Sequence, residues 1–308
     1  MKIGITAQSF GRNPVLRKEL LALSPDCVFN DHISHPTQAD LARLLKGCDG
    51  AVVGLEPVGE ELLRRLPGLR IVSKYGVGLD NLDLGACARR GVAVGWTPGL
   101  NRLSVAEMTL GMMLALLRHV VSACQKLKDG CWEKSVGVEL TGKTVGIIGL
   151  GHVGKEVARL LGPFRCRILA NDILDIGAYC RKRKLIPAAK ARIWKEADLV
   201  TIHTPLTPLT RGMVDRRVLG RMKRTAYLVN TARGPIVDPK ALEWALRKGV
   251  IAGAALDVYC EEPPRDRDFL NLPHLLCTPH RAGSSQEAVL AMGRSAIAHL
   301  RKFFLKKG

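Results

Sequence analysis

Acidic residues are scarce in this sequence relative to basic ones. Its 308 residues include 28 aspartates and glutamates against 47 lysines and arginines, which gives a formal net charge of +19. Much of the excess lies in two stretches, 180–195 with seven cations and 211–224 with six. Such a charge favours the attraction of anionic substrates or sequence-independent contact with nucleic acid, and a solvated basic face is the simpler alternative.

Segments that mark a nucleic-acid module, a secreted protein or a membrane span are also missing. There is no zinc-finger spacing, no aromatic RNA-binding pattern and no basic heptad, so we expect no specific nucleic-acid partner. The start, MKIGITAQSF, has no small-residue cleavage pattern and is interpreted as a first strand. The most apolar helical run, 108–117, is too short to cross a bilayer, so we expect no membrane partner.

Paired cysteine motifs are absent too. Nine cysteines are scattered singly, none as CxxC and none flanked by histidine pairs, which argues against a zinc site. We therefore expect no metal, free thiols and a cytoplasmic protein. The length suits two domains of ordinary size.

Short apolar runs alternate with amphipathic stretches along most of the chain. The runs typical of strands in the first hundred residues are KIGIT, CVFN, GAVVG, RIVS and VAVG. A Pro/Gly turn at 95–101 leads into a long helical pattern, 102–121, and then into six more strands, TVGIIG, RILAND, LVTIH, AYLVNT, AGAALDV and LLCTP. This rhythm predicts βαβ units and an α/β protein with parallel sheets.

The sequence GLGHVG, residues 149–154, stands between a predicted strand (144–148) and a predicted helix (152–162). In that context the first glycine makes a tight turn, the second lets the backbone approach a pyrophosphate and the third lets helix and strand pack closely. Asp172 ends the next strand, where a carboxylate can bind ribose hydroxyls and disfavour the extra phosphate of NADP. We therefore predict NAD binding, with a helix-capping Asp172 as the alternative and the cations of 181–184 as a feature that could soften the preference.

Seven ordered stretches resemble one known family. They are YGVGLDNLDL (75–84), NRLSVAEMTLGMMLALLR (101–118), GKTVGIIGLGHVG (142–154), LVTIHTPLTPLTRGMV (199–214), LVNTARGPIVD (228–238), ALDVYCEEPP (255–264) and TPHRAG (278–283). The chain resembles the D-isomer-specific 2-hydroxyacid dehydrogenases nearly from end to end. The resemblance therefore covers much more than the cofactor motif.

The resemblance implies two doubly wound parallel-sheet domains with the active site in the cleft between them. A Rossmann NAD-binding domain (99–283) is expected to be inserted into a flavodoxin-like substrate-binding domain (1–98, completed by 284–308). Members are usually homodimers that associate through the helix carried here by 102–120. Because the sequence stops at 308, we expect none of the regulatory domains of longer phosphoglycerate dehydrogenases.

Three residues match the catalytic set of the family. Arg233 is expected to grip the substrate carboxylate and carbonyl with its planar fork, and His280 to carry the proton. Glu262 is expected to orient the imidazole, in preference to Glu261, because the family's glutamate directly precedes the proline. Taken singly, a histidine beside an apolar strand is more often structural, and an arginine or glutamate is as often a surface ion pair.

Cofactor contacts follow from the motif and the resemblance. The predicted cofactor-binding residues are Gly149, Gly151, His152, Val153, Gly154, Asp172, His203, Thr204, Pro205, Thr231, Ala232, Asp257, His280 and Gly283. Several of these could instead be turn residues or helix caps.

Substrate contacts are the least determined part of the site. The predicted substrate-binding residues are Lys74, Val77, Gly78, Asn101, Arg102, Arg233 and Arg281. Backbone N–H groups of Val77 and Gly78 match the family's carboxylate cradle, and the extra cations would suit a second anionic group. The first hypothesis is therefore 3-phosphoglycerate or a related dianionic acid, unless those cations face solvent or pair with acids.

Three other functions stay open on the sequence. A glyoxylate/hydroxypyruvate reductase is the nearest, and a phosphonate- or phosphite-oxidising enzyme is more distant. An NAD-sensing corepressor is the alternative from another class, since such proteins share the fold and retain an Arg/Glu/His set.

Overall fold

A computed structural model describes residues 1–305 and divides them into two compact units. The first contains Met1–Asn101 and the chain from Ser284 onwards, and the second contains Arg102–Gly283. The first boundary thus follows Asn101, three residues after the boundary predicted from the sequence at residue 98. The last three residues of the predicted segment 284–308 lie outside the described residues.

The first unit is built on a five-stranded parallel sheet. Its strands run in the order β2-β1-β3-β4-β5, as in flavodoxin-like folds, which confirms the expected class. β1, β3 and β4 are buried throughout, as expected for strands covered on both faces. The bounds are β1 Ile3–Ile5, β2 Cys27–Phe29, β3 Gly50–Val53, β4 Ile71–Lys74 and β5 Ala93–Gly95.

Short helices connect these strands, and local capping fixes where several of them begin. Asn13 accepts the N–H groups of Val15 and Leu16 and is followed by Pro14, so α2 begins there. Thr37 and Asp40 form a reciprocal capping box at α3. The bounds are α1 Gln8–Gly11, α2 Pro14–Leu23, α3 Gln38–Leu44, α4 Glu60–Arg64 and α5 Leu84–Arg89.

The second unit is a Rossmann-type sheet of seven parallel strands. The order β12-β11-β10-β9-β6-β7-β8 confirms the expected doubly wound class. Six strands were predicted and one was missed, because β8 is a two-residue edge strand that contains a proline and carries no alternation to detect. The bounds are β6 Thr144–Ile148, β7 Arg167–Asn171, β8 Ile186–Pro187, β9 Leu199–Ile202, β10 Tyr227–Asn230, β11 Gly253–Leu256 and β12 Leu275–Cys277.

Helices cover both faces of this sheet. One face packs against α10, α11 and α12, and the other against α6, α8 and α9. The bounds are α6 Arg102–Leu117, α7 Val120–Lys128, α8 His152–Leu160, α9 Gly177–Arg183, α10 Lys190–Glu196, α11 Arg216–Leu219, α12 Pro239–Arg247 and α13 Arg267–Leu270.

The prediction of one continuous helix over 102–121 is wrong. His119 has a left-handed backbone, with φ of +54°, and separates α6 from α7. The hydrophobic pattern continues across the break, which is why the pattern alone misses it. Among residues 1–305 no single helix has the length and apolarity to cross a bilayer, although α6 and α7 together, bent by 62°, meet that test by length and composition.

The last helix, α14 (Gln286–Leu305), returns to the first unit. It packs against β4, where Ser73 Oγ donates to the carbonyl of Ala296 at 2.8 Å. Gly293 allows close approach to α2, since a side chain there would meet Leu16 at 2.3 Å. The five-stranded sheet is thus covered by a helix from the opposite end of the chain.

Candidate active site

Three glycines shape the turn between β6 and α8, and each has a different role. Gly149 has φ of +93°, and a side chain there would meet the backbone of His203 at 2.7 Å. A side chain on Gly154 would meet the carbonyl oxygen of Gly149 at 2.1 Å, whereas nothing lies within 4 Å of the corresponding position on Gly151. Close packing therefore requires the first and third glycines, and the second leaves room for a phosphate beside the start of α8, at His152 and Val153.

Asp172 lies directly beside this turn. It follows β7, and its Oδ2 accepts the N–H of Leu150 at 2.7 Å, while Oδ1 accepts the N–H of Leu174 at 3.0 Å. Each carboxylate oxygen has a second lone pair that can accept a ribose hydroxyl. The basic residues 181–183 end α9 and Lys184 caps it, and within residues 1–305 the carboxylate of Asp172 is bonded by Leu150 and Leu174 rather than by these cations.

The segment after β9 supplies a neutral histidine and an unsatisfied hydroxyl. The N–H of His203 donates to the carbonyl of Ile148 at 2.7 Å, and burial lowers the pKa of the imidazole to about 3. Thr204 Oγ1 is buried with no hydrogen-bond partner among residues 1–305. Buried hydroxyls are normally satisfied, so this atom and the open space at Gly151 fit a bound nicotinamide dinucleotide. Pro205 follows, and its carbonyl accepts Thr210 Oγ1 at 2.7 Å.

Arg233 is held in a turn at the end of β10. Asn230 is buried, donates Nδ2 to the carbonyl of Arg233 at 2.9 Å and accepts the N–H of Ala232 at 3.0 Å. Thr231 Oγ1 lies 3.0 Å from Thr109 Oγ1 on α6. These contacts hold the backbone on both sides of a half-buried guanidinium.

His280 and Glu262 form a close pair. Nδ1 of His280 lies 2.6 Å from Oε2 of Glu262, and the two side chains are 31% and 33% exposed. Burial alone would raise the pKa of Glu262, but hydrogen bonds from His280 and from the Tyr259 N–H, with the charges of His280 and Arg233, bring it below its ordinary value. Glu261 points elsewhere and pairs with Arg265 at 2.9 Å.

Asp257 fixes the loop that carries His280. Its carboxylate is fully buried and accepts Thr278 Oγ1 at 2.5 Å and the N–H groups of Arg281 and Ala282 at 2.9 and 2.8 Å. Its carbonyl accepts the N–H of His280 at 2.8 Å. The expected contact of Asp257 with the nicotinamide amide stays a prediction, because these loop donors already use three of its acceptor sites.

Tyr259 contacts the three segments that carry the predicted catalytic residues, a role that the sequence did not indicate. Its N–H holds Oε1 of Glu262 at 3.0 Å, and its hydroxyl donates to the carbonyl of Thr278 at 3.0 Å. A side chain on Gly234 would meet the backbone of Tyr259 at 2.0 Å, so the arginine loop packs directly on it. The partners of Tyr259 are distant in sequence, and no local pattern indicates such contacts.

The predicted substrate cations lie in different environments. Lys74 is 3% exposed, and its ammonium donates to the carbonyl of Gly54 and, at 2.6 Å, to Oδ1 of Asn81. Arg102 lies 3.7 Å from Glu156. The side chain of Arg281 is exposed and makes no hydrogen bond or ion pair with residues 1–305.

The turn after β4 presents backbone N–H groups in the first unit. The carbonyl of Val77 accepts Nε1 of Trp96 at 2.9 Å. The N–H groups of Val77 and Gly78 have no acceptor within residues 1–305. Oδ1 of Asn101 is likewise buried without a partner in that range, and Gly283 ends the second unit.

The fold and these contacts define a dinucleotide-binding protein with a histidine–carboxylate pair at the end of its cofactor-binding sheet. Comparison with known proteins narrows this class. Residues 110–282 match the family model "D-isomer specific 2-hydroxyacid dehydrogenase, NAD binding domain". The chain belongs to the D-isomer specific 2-hydroxyacid dehydrogenase family, which confirms the resemblance and the expected cofactor.

Relatives within the family carry different substrate names. The chain is 37% identical over 271 residues to a D-3-phosphoglycerate dehydrogenase of Methanocaldococcus jannaschii, covering 86% of this chain and 52% of the relative. It is 36% identical over 276 residues to a glyoxylate reductase of Korarchaeum cryptofilum, covering 87% and 83%. The chain thus spans about half the length of the phosphoglycerate dehydrogenases that it matches.

Solved structures agree with this placement. D-lactate dehydrogenase from Aquifex aeolicus, crystallised with NAD and lactic acid, superposes with a TM-score of 0.86 at 25% identity, covering 98% of this chain and 95% of that one. Within residues 1–305 no cluster of three His, Cys, Asp or Glu side chains could hold a metal ion.

Proposed function

We propose that the protein transfers a hydride between NAD and the C2 carbon of a D-2-hydroxy acid or its 2-oxo form. The observation that carries this proposal is the 2.6 Å contact between His280 Nδ1 and Glu262, with Arg233 near enough to lower the pKa of that carboxyl. A carboxylate on Nδ1 fixes the orientation of the ring and leaves Nε2 for the substrate.

The chemistry divides among these residues. Arg233 holds the substrate carboxylate and polarises the oxygen on C2 through charge-assisted hydrogen bonds. In the oxidation, Nε2 of His280 accepts the hydroxyl proton while the hydrogen on C2 leaves as hydride; in the reduction the same nitrogen returns the proton. NAD, when bound, accepts or supplies the hydride. Glu262 acts through the imidazole and does not touch the substrate.

Asp172 supports NAD over NADP. Its carboxylate is held toward the glycine turn by Leu150, and a negative charge there would repel a phosphate on the adenosine ribose. The test compares the Kd of NADH with that of NADPH for the wild type and for Asp172→Asn. Tighter NADPH binding in the variant supports the proposal, and an unchanged ratio contradicts it.

For the substrate we propose first a 2-hydroxy acid with a second anionic group, with 3-phosphoglycerate to be tested first. Arg281 stands one residue from His280, is exposed and has no partner among residues 1–305. Its guanidinium can hold a phosphate through two hydrogen bonds. The phosphoglycerate dehydrogenase relatives support the same substrate class.

Reduction of glyoxylate or hydroxypyruvate is the second candidate, and it is favoured because two of the proposed phosphate-binding cations already have protein partners. Lys74, the other cation proposed for a phosphate, already bonds Gly54 and Asn81, and Arg102 pairs with Glu156. A monoanionic 2-oxo acid needs none of these cations. The glyoxylate reductase relative is also matched over 83% of its length.

The kcat/KM values for 3-phosphohydroxypyruvate, hydroxypyruvate and glyoxylate with NADH separate the two candidates. If Arg281 binds a phosphate, Arg281→Gln lowers kcat/KM for the phosphorylated substrate by about 10- to 100-fold, the worth of a charged hydrogen bond, and changes glyoxylate reduction little. Arg267→Gln, an exposed arginine on α13, is the control. Equal losses on all three substrates contradict a phosphate contact and favour the second candidate.

We also propose that the protein is a homodimer that associates through α6 and α7. Helix α7 has no buried residue, and a nine-residue helix in water is marginal without a partner. The apolar side chains exposed on it and after it are Val120, Val121, Leu127, Trp132, Val136 and Val138. Sedimentation of the wild type should give twice the chain mass, and Val121→Lys/Trp132→Ser should shift it to the monomer; a monomeric wild type contradicts the proposal.

We propose a cytoplasmic location on the state of the cysteines. All nine are free, and three of them are exposed, which suits a reducing compartment. Thiol alkylation in cell lysate under native conditions should label Cys124, Cys131 and Cys260; disulfides at these positions would contradict the proposal.

A further inference from the structure

One edge of the seven-stranded sheet is lined with cations. Parallel strands all start at the same edge, and six basic residues lie within two positions of the starts of β6, β7 and β8 or within four positions of the start of β10. We call them the basic edge: Lys143, Arg165, Arg167, Lys184, Lys223 and Arg224. The glycine turn follows the end of β6 and therefore lies at the opposite edge.

Acidic residues neutralise only part of this edge. Glu196 bonds Arg167 at 2.9 Å, and Asp198 bonds Lys223 at 2.8 Å. Arg165 and Lys184 are exposed and have no side-chain hydrogen bond or ion pair within residues 1–305, and the same holds for the preceding residues 181–183. Between 181 and 224 the sequence has thirteen lysines and arginines against three acids.

Two of these cations occupy positions that favour glycine. Arg165 has φ of +53° and Lys184 has φ of +55°, both in the left-handed region. Each stands two residues before a strand, and those strands are neighbours, with Leu169 opposite Ile186. A side chain at either position costs free energy that glycine does not.

Local stability does not account for this arrangement. One or two cations in the last turn of α9 suit the helix dipole, but four in succession at 181–184 add repulsion without further benefit. The chain therefore retains charge at this edge against its folding preference, which is expected where the charge serves an external partner.

We propose that the basic edge and residues 181–183 bind the phosphodiester backbone of a nucleic acid without reading its sequence. From β10 to β8 the edge spans about 19 Å, which matches several successive phosphates better than one small anion. Within residues 1–305 no exposed large apolar side chain lies within four positions of a basic-edge residue, so this edge has no apolar group to insert into a membrane. The proposal does not depend on the proposed dehydrogenase activity.

The test measures binding of the full chain, saturated with NAD, to fluorescent 20-base-pair DNA and RNA duplexes of one sequence. Five unpartnered cations predict a slope of log K against log salt of about −4 to −5. Arg165→Gly/Lys184→Gly should make that slope shallower by about 2 and weaken binding by about 50- to 100-fold at 0.1 M salt. The glycines relieve the left-handed strain, so Tm should be equal or higher.

A matched control removes the same charge elsewhere. Lys18→Gln/Arg64→Gln neutralises two exposed cations on α2 and α4 and should leave affinity and slope near wild type. If the glycine variant does not fold, Arg181→Gln/Arg183→Gln should give the same loss. Binding of either duplex supports the proposal, and the tighter of the two shows whether the partner is DNA or RNA. No binding at 50 mM salt, equal losses in both double variants, displacement of NAD by the duplex, or tighter binding to phosphatidylserine vesicles would overturn it.

Discussion

Replacing Tyr259 with phenylalanine tests whether this residue positions the catalytic segments. The variant keeps the ring and the N–H that holds Glu262, and it loses the hydroxyl that donates to Thr278 at 3.0 Å and lies 3.3 Å from the carbonyl of Leu256. One hydroxyl proton makes one full hydrogen bond, so the free energy of unfolding should fall by about 1 kcal/mol. The carbonyl of Thr278 also accepts the N–H of His280 at 3.1 Å, so the loosened group is next to the proposed proton carrier.

The expected loss of activity follows from the same hydrogen bond. If the hydrogen bond stabilises the transition state by about 0.5–1.5 kcal/mol through the position of His280, its loss lowers kcat by about 2- to 10-fold. KM and the Kd of NADH should change less than about twofold. Steady-state reduction of a 2-oxo acid with NADH and a thermal melt measure both effects. Tyr179→Phe is the control, because that hydroxyl has no hydrogen-bond partner in the described chain. Unchanged kcat at the expected loss of stability would refute a positioning role, as would a loss confined to KM.

Three further substitutions test neighbouring parts of the site. Glu262→Gln should destabilise the protein above pH 4.5, because the pKa of Glu262 in the folded protein lies below that ordinary value. In urea unfolding, the difference in stability from wild type should vanish as the pH falls below the lowered pKa. A difference that stays constant with pH would count against the ion pair. The wild type should lose stability as the pH falls from 6.5 to about 4, and His203→Gln should lose less. A histidine whose pKa falls to about 3 on folding costs at most about 1.4 kcal/mol per pH unit in that range. If the free energies of unfolding of the two proteins fall in parallel with pH, the imidazole is not buried and neutral. Gly234→Ala should lower both stability and kcat, because the methyl group would meet the backbone of Tyr259 at 2.0 Å; near-normal values would mean that the arginine loop is not packed as described.

The sequence predicts a structural feature correctly where the backbone geometry tolerates only one residue type, as it does at the glycine turn. Gly149 and Gly154 were assigned from their spacing, and the structure shows close contacts that no side chain could tolerate. The doubly wound class of both sheets could also be predicted, because parallel βαβ units and the family resemblance restrict the topology. The missed features, β8 and the break at His119, lie where a short edge or one left-handed residue interrupts a pattern that otherwise continues.

Side-chain partners could not be predicted in the same way. Lys74 was expected near a substrate because it is a cation before a glycine turn, yet its ammonium is held by Gly54 and Asn81. The sequence placed Tyr259 in a family motif but gave it no role. In the structure it contacts both the loop that carries His280 and the loop that carries Arg233. Charge and spacing identify candidate residues, whereas their partners depend on segments that only folding brings together.

The role of His280 is tested most directly by the rate at which His280→Ala reduces a 2-oxo acid with saturating NADH. We expect kcat to fall by about 10²- to 10⁴-fold, because the proposed proton carrier is lost, and the Kd of NADH to stay within about twofold of wild type. A kcat near wild type would contradict the assignment of His280, and a wild type that turns over no 2-hydroxy or 2-oxo acid would contradict the proposed function.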